Sequence, residues 1–224
     1  MATDITEFRK RNRLLPCEAR GCSNRRWSSS IYCAGHARRS NLYGSPYGQV
    51  IEVRTLKPYL KAAQDFLKMH AGAPQIVAAL KLLQAFIDRG PYDSPQTEKL
   101  MPRLRQFQVS AEDVLPKLIA TYLLDRSGFC AALDHPETLT FALGRAVLRT
   151  VPRAPYIGDN GKPRSHALRA GVVREVGGWV QRVLGHFCVN ASNSITAISA
   201  LRHERVLIAS DPFPLTTAQA AEQK

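Results

Sequence analysis

The sequence predicts a mainly α protein: a small N-terminal module bearing cysteines and a histidine, followed by an all-α helical domain of about six helices. Two observations carry this. From Leu56 to Ile208 apolar residues recur every three or four positions, the period of a helix face, and nowhere alternate convincingly as in a half-buried strand. Before Leu56 that periodicity is missing, and three of the chain's five cysteines fall between residues 17 and 33. A segment that short builds little core, so something other than apolar burial must hold it.

The elements follow in order. Residues 1–13 are charged throughout and end in Arg9-Lys10-Arg11-Asn12-Arg13, which reads as a short amphipathic helix or a basic arm. Residues 14–48 form the module. Within it, Ser23–Tyr32 suits a short hairpin or loop, and Cys33 to His36 opens a short helix that Tyr43-Gly44-Ser45-Pro46 stops. Gln49–Thr55 is the best remaining strand candidate.

The helical domain spans residues 56–208. Leu56, Leu60, Ala63 and Leu67 mark its first helix, with lysines between them. Pro74 suits the first turn of the next, whose apolar face runs from Ile76 to Ile87 before Asp88-Arg89-Gly90-Pro91 stops it. Tyr92–Gln108 holds loop and a short helix. Ser110 starts another helix, with Asp113 three residues on in a weak variant of the capping box. Pro136 opens a further one, through Leu139, Leu143, Val147 and Leu148. After a turn-rich stretch at 152–163, a long segment begins near Arg164. Gly177-Gly178 interrupts it, so it is one kinked helix or two at an angle. Ser192 or Ser194 caps a last helix to about Ile208, and 209–224 reads as a loose tail.

Composition is that of an ordinary globular chain, 45% hydrophobic and 22% charged, but the net charge is +13. Such an excess attracts polyanions, of which nucleic acid is the commonest. Residues 1–54 carry ten basic side chains against four acidic, and residues 136–208 carry the same ten against four. Between them the balance is ten against eight. The charged first residues argue against a secretory leader, and no run reaches the roughly 18 apolar residues of a membrane span. Cys130 and Cys188 sit alone in apolar segments; as buried thiols they fit a reducing, cytoplasmic compartment.

Cys17, Cys22, Cys33 and His36 give the spacing C-x4-C-x10-C-x2-H. Three thiolates and an imidazole are a zinc donor set. Four protein donors close the tetrahedron and leave no position for water, so one structural zinc is expected.

These residues also carry a resemblance. Cys17-Glu18-Ala19-Arg20-Gly21-Cys22, then Tyr32-Cys33-Ala34-Gly35-His36-Ala37-Arg38-Arg39, then Tyr43-Gly44-Ser45-Pro46 resemble a short zinc module of phage and mobile-element proteins. Such modules are attached to HNH-type endonucleases and other DNA-associated proteins. The resemblance covers residues 15–48. It implies DNA association in a bacterial or phage-infected host cell, and no particular activity.

Nine basic residues fall between positions 9 and 39, against Glu18 alone. Guanidinium groups fork phosphates, so Arg9, Lys10, Arg11, Arg13, Arg25, Arg26, Arg38 and Arg39 are candidate nucleic-acid contacts. Trp27 is a candidate to stack on a base. Tyr32, beside a ligand, is expected in the module's miniature core. Arg145, Arg149, Arg164 and Arg169 belong to a rear stretch where basic residues face only Asp159 and Glu175. It is either a solvated face or a second phosphate-tracking surface.

No enzyme constellation is complete. Asp134-His135 would begin an HNH nuclease set, but no suitable asparagine and histidine follow before residue 160. His166-Ala167-Leu168-Arg169 with Leu184-Gly185-His186 looks like a fragment of a tyrosine recombinase, yet no tyrosine follows Tyr156 to act as nucleophile. The expectation is a non-enzymatic nucleic-acid-binding protein, with DNA ahead of RNA. The alternative is a zinc-containing adaptor within a larger nucleoprotein assembly.

Overall fold

The computed structural model describes residues 2–209, apart from 50, 91, 129, 131, 132, 134, 135, 151–154, 158–162, 166 and 167. Among the described residues the protein is mainly helical, with eight helices and one pair of three-residue strands. Helices α1 (Ala2–Asn12) and α2 (Ala34–Tyr43) flank the cysteine-bearing loops. The body is built from α3 (Val53–Met69), α4 (Pro74–Arg89), α5 (Pro95–Gln106), α6 (Ala111–Arg126), α7 (Pro136–Leu148) and α8 (Ala170–Ala209). That is the mainly α architecture, with six body helices, that the apolar periodicity implies. No helix is long and apolar enough to cross a membrane among the described residues.

Local signals place most boundaries. Pro74 occupies the first turn of α4, where its missing N–H costs nothing, and Gly90 ends it. Ser110 caps α6 with a full capping box: its hydroxyl accepts from the Asp113 N–H, and the Asp113 carboxylate accepts from the Ser110 N–H at 3.0 Å.

Helix α6 is the hub. Ten of its residues between Val114 and Leu124 are buried, so it is apolar almost all round, as a helix enclosed by others must be. It packs against α3, α4, α7 and α8. Beside it the Phe86 and Trp179 rings stack at 3.8 Å between centroids, joining α4 to α8.

Helices α7 and α8 pack closely against each other, and two glycines permit it. A Cβ added at Gly144 would overlap the Val173 carbonyl, and one at Gly177 would overlap the Thr140 carbonyl. The backbones therefore touch at the crossing, where only hydrogen-bearing Cα atoms fit. Thr140 Oγ1 donates to Gln181 Oε1 at 2.6 Å one turn further along.

Four sequence expectations require correction. Gly177-Gly178 does not split the last long segment; α8 runs unbroken through it for 40 residues, and Gly177 is there for the crossing. That helix begins at Ala170, because Arg164 lies in a strand, β2 (Pro163–Ser165), opposite Tyr156 of β1 (Pro155–Ile157). Ser192 and Ser194 are not caps. Both sit inside α8 and donate to the carbonyls of Cys188 and Asn190, one turn back, at 2.7 and 3.1 Å. The strand candidate Gln49–Thr55 fails too: Val53–Thr55 is the first turn of α3, and no pairing includes the described residues before it. Of the expected tail, residue 209 ends α8 and residues 210–224 lie outside the described residues, as do Asp134, His135, Asp159 and His166.

Candidate metal centre

Short-range backbone bonds fold the loop that brings the donors together. Cys17 N–H donates to the Asn24 carbonyl at 2.9 Å, Cys22 N–H to Ala19 at 3.0 Å, and Trp27 N–H to Tyr32 at 2.9 Å. Pro16 and Arg25 pair as an isolated antiparallel bridge. These turns return the chain to Cys33, which caps α2. Because α2 places position 36 one turn beyond Cys33, His36 joins the cysteines. Gly44, in the left-handed region at φ 80°, ends the helix and donates to Ser40.

The ligating atoms of Cys17, Cys22, Cys33 and His36 all lie within 4.8 Å of one another, close enough to bind a metal ion. His36 Nδ1 stands 3.5 Å from Cys17 Sγ and 3.4 Å from Cys33 Sγ, and the Cys22 and Cys33 sulfurs are 3.9 Å apart. Cys17 and Cys33 are buried, Cys22 and His36 half-buried.

Electrostatics favour thiolate at two positions. Burial acts against ionisation of Cys17, but the Cys33 and Ala19 N–H groups outweigh it and hold its thiol below the ordinary value. The N–H of Cys33 reaches Cys17 Sγ at 3.2 Å. Cys33 is lowered mainly by the His36 N–H at the start of α2. Cys22 is raised: an Asn24 N–H favours its thiolate, while burial and the two other sulfurs oppose it more strongly.

Several supporting groups escaped sequence reasoning. Asn12, at the end of α1, is buried, and its Nδ2 donates to the carbonyls of Ser28 and Ser30, each at 2.8 Å. This bond pair ties the basic first helix to the module's loop. The Tyr47 ring stands 6.0 Å from that of His36, and its hydroxyl donates to the Arg20 carbonyl at 3.4 Å. No local signal marks either residue, because each acts on a partner at least eleven positions away. The module's own core is tiny: Cys17, Ala19 and Cys33, with Cys22 and Tyr32 against them.

The candidate nucleic-acid contacts differ in their surroundings. Arg9, Lys10, Arg11, Arg13, Arg25, Arg38 and Arg39 are exposed, as is Trp27 at 56%. Of these, Arg11 alone has a carboxylate partner among the described residues, a loose contact to Glu7 at 3.9 Å. Arg26 is engaged inside the module, donating to Pro16 O at 3.0 Å and to Glu18 at 2.7 Å. Arg145 donates to the Leu42 carbonyl and lies over the Tyr43 ring, 5.1 Å from its centroid, so it fastens α2 to α7. Arg149 and Arg169 are exposed on the body; of Arg164 the structure describes the strand position alone.

Among the described residues, other titratable groups gather no second metal-binding cluster. Arg169, the residue before α8, and His186 within it stand about 25 Å apart along the helix direction, so they do not share one phosphate. Cys188 is fully buried, and burial pushes its thiol up to about 12; Cys130 is half-buried. No family model, curated protein or solved structure matches this chain, so the chemistry of the site must be read from its own residues.

Proposed function

We propose that this chain is a non-enzymatic nucleic-acid-binding protein, with DNA ahead of RNA, whose N-terminal module is held by one structural zinc ion. The metal half of the reading is supported by edge lengths. A tetrahedral zinc with bonds of about 2.3 Å to sulfur and about 2.05 Å to nitrogen has S···S edges near 3.8 Å and S···N edges near 3.55 Å. Three of the six edges, at 3.9, 3.5 and 3.4 Å, fit that size, and all six lie within 4.8 Å. Four protein donors fill the coordination sphere, so the ion folds the loop and has no position for a reactive water. Elemental analysis should find about one zinc per chain, and a metal-free yet fully folded module would refute the assignment.

The observation that carries the nucleic-acid half is the set of exposed cations on and around this module. Arg9, Lys10, Arg13, Arg20, Arg25, Arg38 and Arg39 have no carboxylate partner among the described residues. Fixed cations without counter-charges favour a polyanion, and an exposed Trp27 among them suits a base or sugar. The resemblance of residues 15–48 to DNA-associated phage modules points the same way. Binding to a generic duplex, read by fluorescence anisotropy, should weaken by about a thousandfold or more between 50 and 200 mM salt if six or more phosphates are neutralised. No binding to duplex or single strands at low salt would sink the reading.

One observation favours the adaptor alternative. Ile5, Phe8, Leu14, Leu15, Trp27 and Ile31 are large apolar side chains, each more than 40% exposed, and all lie within the first 31 residues. Such crowding suits a protein surface. If residues 1–48 bind no nucleic acid yet associate with a protein through these side chains, the adaptor reading replaces the first.

A further inference from the structure

A cavity of about 340 Å³ opens where the metal module meets the helical body. Its walls are apolar, formed by Ile51 before α3, Leu56 and Leu60 on α3, and Phe141 and Ala142 on α7. Four cations line it as well: Lys57, Lys117, Arg145 and Arg149. No aspartate or glutamate is among its described lining residues.

Lys117 is the informative one. It projects from the hub helix α6 and is half-buried, and its Nζ donates to Thr150 Oγ1 at 2.9 Å. Burial pushes its ammonium below the ordinary lysine value, and Asp113, one turn back, only partly restores it. A half-desolvated ammonium with a neutral hydroxyl as its hydrogen-bond acceptor gains from an added anion far more than a solvated lysine does. Lys57, also lining the space, is exposed and adds to the positive potential there.

We propose that this cavity binds an amphipathic organic anion, a hydrophobic body carrying one carboxylate, with the body against Leu56, Leu60 and Phe141 and the carboxylate on Lys117. At about 30 Å³ per water-sized heavy atom, the space holds roughly eleven non-hydrogen atoms, the size of a medium-chain acyl carboxylate. A nucleotide of greater size would bring many polar edges to walls that offer few partners. Tyr43, at the end of α2, also lines the space, so a seated ligand touches the module as well as the body. The site stands apart from the nucleic-acid reading and survives its failure.

Isothermal titration calorimetry on the full zinc-loaded chain tests this with decanoate, below its micelle concentration, as the probe. Decanoate should bind saturably, one per chain. Decyltrimethylammonium (same body, opposite charge), acetate (same head, no body) and adenosine monophosphate should each bind at least tenfold more weakly. Lys117→Met keeps the apolar stem and should weaken decanoate tenfold or more, the scale of one charge-assisted hydrogen bond. Ala142→Phe takes up a large part of the cavity and should weaken decanoate tenfold or more; circular dichroism confirms that both variants are folded. Ala142→Phe decides alone if Lys117→Met does not fold. Equal binding of the cationic analogue, tighter binding of the nucleotide, no heat with decanoate, or unchanged affinity in Ala142→Phe would each overturn the assignment.

Discussion

The cysteine-bearing module and the helical body are held together by different physics. Beneath the module lie three small buried residues, Cys17, Ala19 and Cys33. The body encloses a continuous core that includes Leu83, Phe86, Leu115, Leu118, Phe141 and Leu184, all 2% exposed or less. At the usual ~25 cal/mol per Å² of apolar burial, the first cannot offset the entropy of ordering 35 residues, and the second can. The four donors converge there, and on the reading proposed above a metal ion held by them takes the place of the missing core. The comparison teaches that the two regions should fail separately, through different substitutions.

Cys33→Ser has the largest expected effect. It removes a central donor, and apparent binding energies for structural zinc run to about 10 kcal/mol or more. The variant should hold less than a tenth of the parent's zinc by elemental analysis, and residues 14–48 should become open to protease. Helical signal from the body should persist. Loss of the whole fold would break the comparison.

Gly177→Ala is next, and it strikes the body alone. The new methyl overlaps the Thr140 carbonyl at the α7–α8 crossing, so the helices must separate at a cost of about 3 kcal/mol or more. Gly171, in the first turn of the same helix, has open space around it; Gly171→Ala should be neutral or stabilising by up to about 1 kcal/mol. Urea unfolding of the two variants measures the difference, and equal effects would show that the crossing is looser than described.

Glu175→Gln should cost about 1–2 kcal/mol. From α8 this carboxylate accepts from the Asp93 and Ser94 N–H groups, at 2.6 and 3.2 Å, and from the Ser94 and Thr97 hydroxyls, holding the start of α5. Burial raises its pKa, but these donors together bring it below the ordinary glutamate value of 4.5. A carboxyl depressed on folding stabilises fully above its unfolded pKa, and that gain disappears as pH falls through the lower folded value. Stability of the parent should therefore drop below about pH 4.5, and the glutamine variant should show a shallower fall. Identical pH profiles would remove Glu175 from the account.

Asp113→Ala is the smallest, about 0.5–1 kcal/mol, because it dismantles one exposed capping box while Ser110 remains. Thermal unfolding should detect a shift of a few degrees at most.

What was legible in the sequence was what local chemistry encodes. Pro74 and Ser110 begin their helices for reasons contained within one turn. The four donors announce themselves because metal geometry constrains both residue type and spacing. The rest depends on partners far along the chain. Gly177 looks like a helix breaker until α7 lies against it. Arg26 and Arg145 read as free charge, whereas one braces the module and the other joins α2 to α7. Strands of three residues, as at Pro155–Ile157 and Pro163–Ser165, are too short to show alternation. Asn12 and Tyr47 carry no motif; their role appears once the loop has closed on them.

The most direct test of separate supports is native-state hydrogen exchange on the full chain, with and without a zinc chelator. The account predicts that chelation erases amide protection across residues 14–48, at Cys17, Cys22, Trp27 and Ala37 above all, while α6, α7 and α8 keep theirs. Protection unchanged in the module, or lost together in module and body, would contradict it.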